Sequence, residues 1–174
     1  MKRSDPNPHA FSLIEVIIAV ALFAASVTVV IAMLPALTRS GAITRDTLAA
    51  QRLPDALKVE LSRLAASGFD ALAGQTPVLS SASGNGLTFV ASRDGARLHA
   101  RDYLPPATGQ IPDEEQYFLV ECWRFPDEPL RFDAQKHFLA LVVRVSWPYR
   151  VPGSTAPSAE AGRTRVTFTV SLGR

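Results

Sequence analysis

Residues 16–34 run for nineteen positions without a formal charge, and nearly all of them are Val, Ile, Leu, Ala, Phe or Met. As a helix rising about 1.5 Å per residue, the run is roughly 28 Å long, close to the ~30 Å hydrocarbon core of a bilayer. It is far longer than the roughly 7–15 apolar residues of a cleaved secretory signal. Nothing else in the chain constrains the fold as strongly, because a helix apolar all round must be enclosed by lipid or protein. One carboxylate, Glu15, sits at the head of this segment behind Leu13 and Ile14. A charge there is costly and asks for a partner.

Residues 38–174 are enough for one modest globular domain. Eighteen Lys and Arg against sixteen Asp and Glu give a net charge of only +2, with no basic run, so nucleic-acid binding is not expected. The one cysteine, Cys122, excludes an intramolecular disulfide and reads as a small core residue on a strand. The domain must therefore be held by packing alone.

Pro6 and Pro8 keep residues 1–10 out of the helix. From residue 11 to about residue 66 the chain reads as one long helix, with Ala19, Ala21, Ala24, Ala25 and Ser26 allowing close approach of neighbouring helices. Leu53, Leu57, Leu61 and Leu64 recur at helical spacing and face a core. Pro35 and Pro54 each remove a backbone hydrogen bond, so a bend is expected at both and a break at Pro54. Ser67-Gly68 ends the helix, and 74–86 is a loop rich in Gly, Ser and Ala.

Beyond Gly86 the period becomes two. Residues 87–90 and 97–100 flank Asp94-Gly95, a hairpin signal. A loop with Pro105, Pro106 and Pro112 leads to three longer strands at 116–125, 137–147 and 163–172. In the last, Val166, Phe168, Val170 and Leu172 alternate with Thr167, Thr169 and Ser171. Residues 148–162 are a flexible connection. The expected fold is α+β: a long N-terminal helix, its second half packed on a small antiparallel sheet.

No catalytic set emerges. His99 and His137 lie on strands without metal-ligand spacing, and no metal or cofactor is expected. Asp113-Glu114-Glu115 reads as a solvated acidic turn rather than a Ca²⁺ site. Arg93, Arg97, His99 and Arg101 form a local basic patch that reads as a strand face rather than a DNA surface. Trp123 and Trp147 read as sheet core.

The stretch Ala10-Phe11-Ser12-Leu13-Ile14-Glu15 closely resembles the start of type IV prepilins and type II secretion pseudopilins. Their shared pattern is a small residue, Phe, Ser or Thr, Leu-Ile-Glu and a hydrophobic helix. The resemblance covers residues 1–37. It implies a leader at 1–10, cut by the prepilin peptidase between Ala10 and Phe11, with N-methylation of Phe11. It further implies a transmembrane and assembly helix at 11–37 and a periplasmic pilin-like domain at 38–174. Gly is usual before the cut, and Ala10 stands there here, so slower processing is expected.

In that family Glu15 would pair with the Phe11 amine of a neighbouring subunit. From the residues alone, a carboxylate snorkelling to headgroups at the membrane edge stays open beside it. The resemblance implies a non-enzymatic structural subunit of a type IV pilus or type II secretion pseudopilus. Its partners would be other pilin subunits, the peptidase, and an inner-membrane platform driven by an ATPase. The chain would cross the inner membrane once, with a cytoplasmic N-terminus, before entering a periplasmic or extracellular filament. Lacking the paired cysteines of well-known major pilins, it resembles a minor subunit. The alternatives are a competence pseudopilin that takes up DNA and a membrane-anchored periplasmic enzyme or binding domain.

Overall fold

The structure is a computed structural model that describes residues 12–79, 86–101, 110–151, 153–154 and 156–173. The leader, the Ala10–Phe11 junction, Pro105 and Pro106 lie outside the described residues. The chain divides after Thr44 into two units. Helix α1 (Leu13–Ser67) contributes to both.

In the first unit, residues 13–44 of α1 are exposed at every position. Leu13, Ile17, Phe23, Val30 and Met33 turn apolar side chains outward on all sides. The helix is long and apolar enough to cross a membrane.

In the second unit, Asp46, Ala49, Ala50, Leu53, Leu57 and Leu61 form the buried face of α1. Each fully buried Leu contributes about 1.5–3 kcal/mol of burial. The leucine stripe read from the sequence is thus the core face, with Leu64 packed at its margin. The helix stays α-helical through Pro35 and Pro54, so Pro54 does not break it. A proline deletes one main-chain bond, and Leu53 and Leu57, both fully buried, hold the backbone on either side of Pro54.

A short helix α2 (Phe69–Gln75), not expected from the sequence, follows and buries Phe69, Leu72 and Ala73. Its last turn is closed by the Thr76 hydroxyl, which donates to the Leu72 carbonyl at 2.8 Å.

Five strands follow: β1 (Leu87–Ser92), β2 (Leu98–Ala100), β3 (Gln116–Arg124), β4 (Phe138–Trp147) and β5 (Thr164–Gly173). They form one sheet in the order β2-β1-β3-β4-β5, antiparallel throughout. The expected strands are all present within two residues, and Asp94-Gly95 turns the β1–β2 hairpin.

The register aligns Phe89, Val120, Val145 and Val166 in one row, with Cys122, Val143 and Phe168 in the next. These rows meet α1 in a single core that also holds Phe118 and Trp147. Trp123 is buried too, but on the opposite sheet face, where the Arg144 guanidinium lies 4.6 Å from its ring. The connection after β4 is tied down rather than loose: Ser158 N–H donates to the Tyr149 carbonyl at 2.8 Å, and Tyr149 packs with Val90 and Leu119.

Candidate functional site

The candidate assembly segment begins where α1 begins. The Glu15 N–H donates to the Ser12 hydroxyl at 3.3 Å and to the Ser12 carbonyl at 3.0 Å, so Ser12 caps the helix. Ser12-Leu13-Ile14-Glu15 has the spacing of a capping box, a signal in the sequence that a reading centred on the charge of Glu15 passes over. The Glu15 carboxylate is exposed in the first turn of the helix and has no side-chain partner among the described residues. A negative charge at that end suits the helix dipole. Among the described residues, capping and dipole are all that Glu15 is given. Phe11, its expected partner across subunits, lies outside the described residues.

Further along, the helix takes care of its own hydroxyls. Ser26 donates to the Leu22 carbonyl and Thr28 to the Ala24 carbonyl, both at 2.8 Å. Thr38 and Thr44 bond the carbonyls of Leu34 and Ser40 at 3.1 and 3.0 Å. These four hydroxyls need no water.

In the second unit several charged residues are used internally. Asp46, only 6% exposed, stands on the apolar stripe of α1. Arg93 from the hairpin forks onto it, Nε to Oδ1 at 3.1 Å and Nη2 to Oδ2 at 3.3 Å, and the Tyr117 hydroxyl donates to Oδ2 at 2.7 Å. Arg93 also lies 4.8 Å from the centre of the Tyr117 ring. Tyr117 reaches the helix because the β1–β3 register shifts there: Ala91 pairs with Phe118 but Ser92 with Gln116. Burial, and then the bond to Asp46, push the Tyr117 phenol up to about 12.

Two more residues of the hairpin patch are committed as well. Arg97 pairs with Glu115. His99 Nε2 accepts from the Ile111 N–H at 3.0 Å, which leaves Nδ1 to donate to the Ala100 carbonyl at 2.9 Å. In the acidic turn, Asp113 is 2.7 Å from Arg150 and accepts from Gln116 at 2.9 Å. Arg101 and Glu114 stay exposed. His137 is exposed just before β4, not on the strand as expected, with a φ of 51°. Cys122 is buried in the core, where desolvation raises its thiol far above the ordinary range. Among the described residues, no three His, Cys, Asp or Glu side chains gather in a metal-binding group.

Residues 6–33 match the family model described as the prokaryotic N-terminal methylation motif. The chain therefore carries the N-terminal signature of type IV prepilins and pseudopilins, ahead of an α+β layout of the pilin type. Pilin-type chains are structural subunits, not typically enzymes. No curated protein and no solved structure matches the chain.

Proposed function

We propose that this chain is a minor pilin or pseudopilin subunit of a type IV pilus or a type II secretion pseudopilus. The prepilin peptidase cuts between Ala10 and Phe11, Phe11 is N-methylated, and the exposed apolar helix carries the subunit from the membrane into a filament. The observation behind this reading is the motif at residues 6–33 leading directly into a helix exposed on every side. The N-terminus is cytoplasmic, and the sheet-bearing part is periplasmic before assembly.

Glu15 supplies register. Removing a carboxylate and an amine from water costs several kcal/mol per ion, and close pairing in a low-dielectric core offsets that cost. A subunit docked out of step leaves both charges unpaired. The helix contributes this specificity without any bond-making. The DNA-uptake alternative gains no support from the hairpin, where Arg93 and Arg97 face Asp46 and Glu115.

In cells that contain the peptidase, mass spectrometry of the mature chain should find a methylated Phe11 at its N-terminus. An intact Met1, or a cut elsewhere, would refute the processing step. Glu15→Ala should insert into the membrane as the wild type does and fail to enter filaments. Normal incorporation of that variant would remove the pairing mechanism.

A further inference from the structure

The segment that leads into β3 is fastened to β2 through one imidazole. Ile111 is held at both of its main-chain polar groups. Its N–H donates to His99 Nε2 at 3.0 Å, and its carbonyl accepts from Gln116 Nε2 at 3.2 Å. Gln116 Nε2 also donates to Asp113 Oδ1 at 2.9 Å, and Asp113 Oδ2 lies 2.7 Å from Arg150. The Ile111 side chain is only 2% exposed, while Gln110 and Pro112 on either side of it are exposed. Burying one residue of such a segment requires partners inside the fold for its N–H and carbonyl. Gln116 is a local partner, five residues along; His99 is the one that comes from another strand.

This arrangement works with the neutral ring alone. A main-chain N–H can only donate, so Nε2 must present its lone pair. Nδ1 then carries the ring's hydrogen toward the Ala100 carbonyl at 2.9 Å. A proton on Nε2 would set two N–H groups face to face and leave the Ile111 N–H buried without an acceptor. Among the described residues, no carboxylate is bonded to the ring to hold that proton. On β2, Arg97 and Arg101 lie two residues away on either side; Arg97 pairs with Glu115 and Arg101 is exposed. In the β1–β2 turn, Asp94 accepts from Ser92 at 2.6 Å. In the turn Asp113–Glu115, Asp113 faces Arg150 and Glu114 is exposed. On β1 the residue opposite His99 is Val90, which packs with Leu119 and Tyr149.

We propose that His99 is an acid-sensitive latch: protonation of its Nε2 releases residues 110–112 from β2 and exposes Ile111. The closed form holds the neutral ring, whereas the open form accepts the proton, so acid favours opening. The stabilisation from the latch is complete above the pH at which a free imidazole titrates, about 6.5, and is lost below it. Ile111 stands outside both clusters of buried core residues. Opening therefore leaves the sheet and the helix face packed on it in place. The acidic turn Asp113–Glu115 follows directly, so its tie through Gln116 loosens with the segment. The device is local, and one ring governs it.

The test follows amide hydrogen exchange by NMR in the full chain in detergent micelles, from about pH 7.5 to about pH 5. Exchange is corrected for the pH dependence of the unprotected amide. The expected result is a loss of Ile111 protection of about tenfold or more, with Val120 and Val143 in the core unchanged. The His99 ring protons should titrate with the same midpoint as that loss. In His99→Gln the side-chain carbonyl can accept the same N–H and does not titrate, so the pH response of Ile111 should vanish. Ile111 protection that ignores pH in the wild type would overturn the proposal. So would different midpoints for the ring and the amide, or an equal pH response in His99→Gln. Core amides that lose protection together with Ile111 would also overturn it, because the whole domain would then be opening.

Discussion

Asp46 and Tyr117 are 71 positions apart in the chain and share a 2.7 Å hydrogen bond. Removing the hydroxyl leaves Asp46, already buried, with one acceptor site fewer satisfied. Tyr117→Phe should therefore cost about 1–2 kcal/mol in thermal or denaturant unfolding at neutral pH. The same residue sets an alkaline limit. An unfolded tyrosine ionises near pH 10, and Tyr117 in the fold near 12, so the unfolded chain releases this proton first. The stabilisation from Tyr117 is thus complete below about pH 10 and is lost as pH rises toward 12. Melting temperatures measured across that window should fall less steeply in Tyr117→Phe than in the wild type. Nothing in the sequence pairs these residues. An acid on a leucine stripe marks Asp46 as unusual, but its partners come from a hairpin 47 residues away and from a bulge that no turn residue announces. Cys122 was legible because an apolar strand with one cysteine leaves it little other role.

The secondary elements were legible where their period is long and unbroken. β5 alternates apolar and polar residues along its length, and the half of α1 that packs on the sheet repeats leucines at three and four. Helix α2 was not, because seven residues make barely two turns and carry no periodic signal. Pro54 misled for a related reason: local chemistry argues for a break, and the packing on both sides of it prevails. The hairpin turn shows local and tertiary demands coinciding. Gly95 has a φ of 71°, and a side chain there would begin 3.3 Å from the Ala49 carbonyl and 3.5 Å from Leu53. Gly95→Ala should cost about 1–2 kcal/mol from backbone strain alone, with the contact to the helix adding to it. Chemical denaturation would register the loss, and an unchanged midpoint would mean that the turn shifts freely.

At the scale of the whole molecule, the two units rest on different kinds of stability. Residues 45–174 depend on a buried core, so Leu57→Ala, at a fully buried site, should cost about 2–5 kcal/mol. The first unit makes no use of that core. In membranes, protease should digest the second unit of Leu57→Ala at a lower temperature than in wild type and spare a lipid-shielded fragment containing residues 16–34. Loss of that fragment together with the domain would show that the units are coupled. The sequence alone supplied the apolar run and the pilin-type motif, both local in the chain. The internal use of the hairpin cations needed the fold, because ion pairs across a sheet leave no mark in spacing.

The hydroxyls of Ser26, Thr28, Thr38 and Thr44 have a consequence for traffic between phases. Each is already bonded to a carbonyl of its own helix. These groups neither gain nor lose a hydrogen bond when lipid tails are exchanged for protein side chains. For these four positions, moving between those surroundings changes dispersion contacts and leaves the hydrogen bonding as it is. A helix whose hydroxyls are closed in this way can pass between lipid and protein surroundings without refolding.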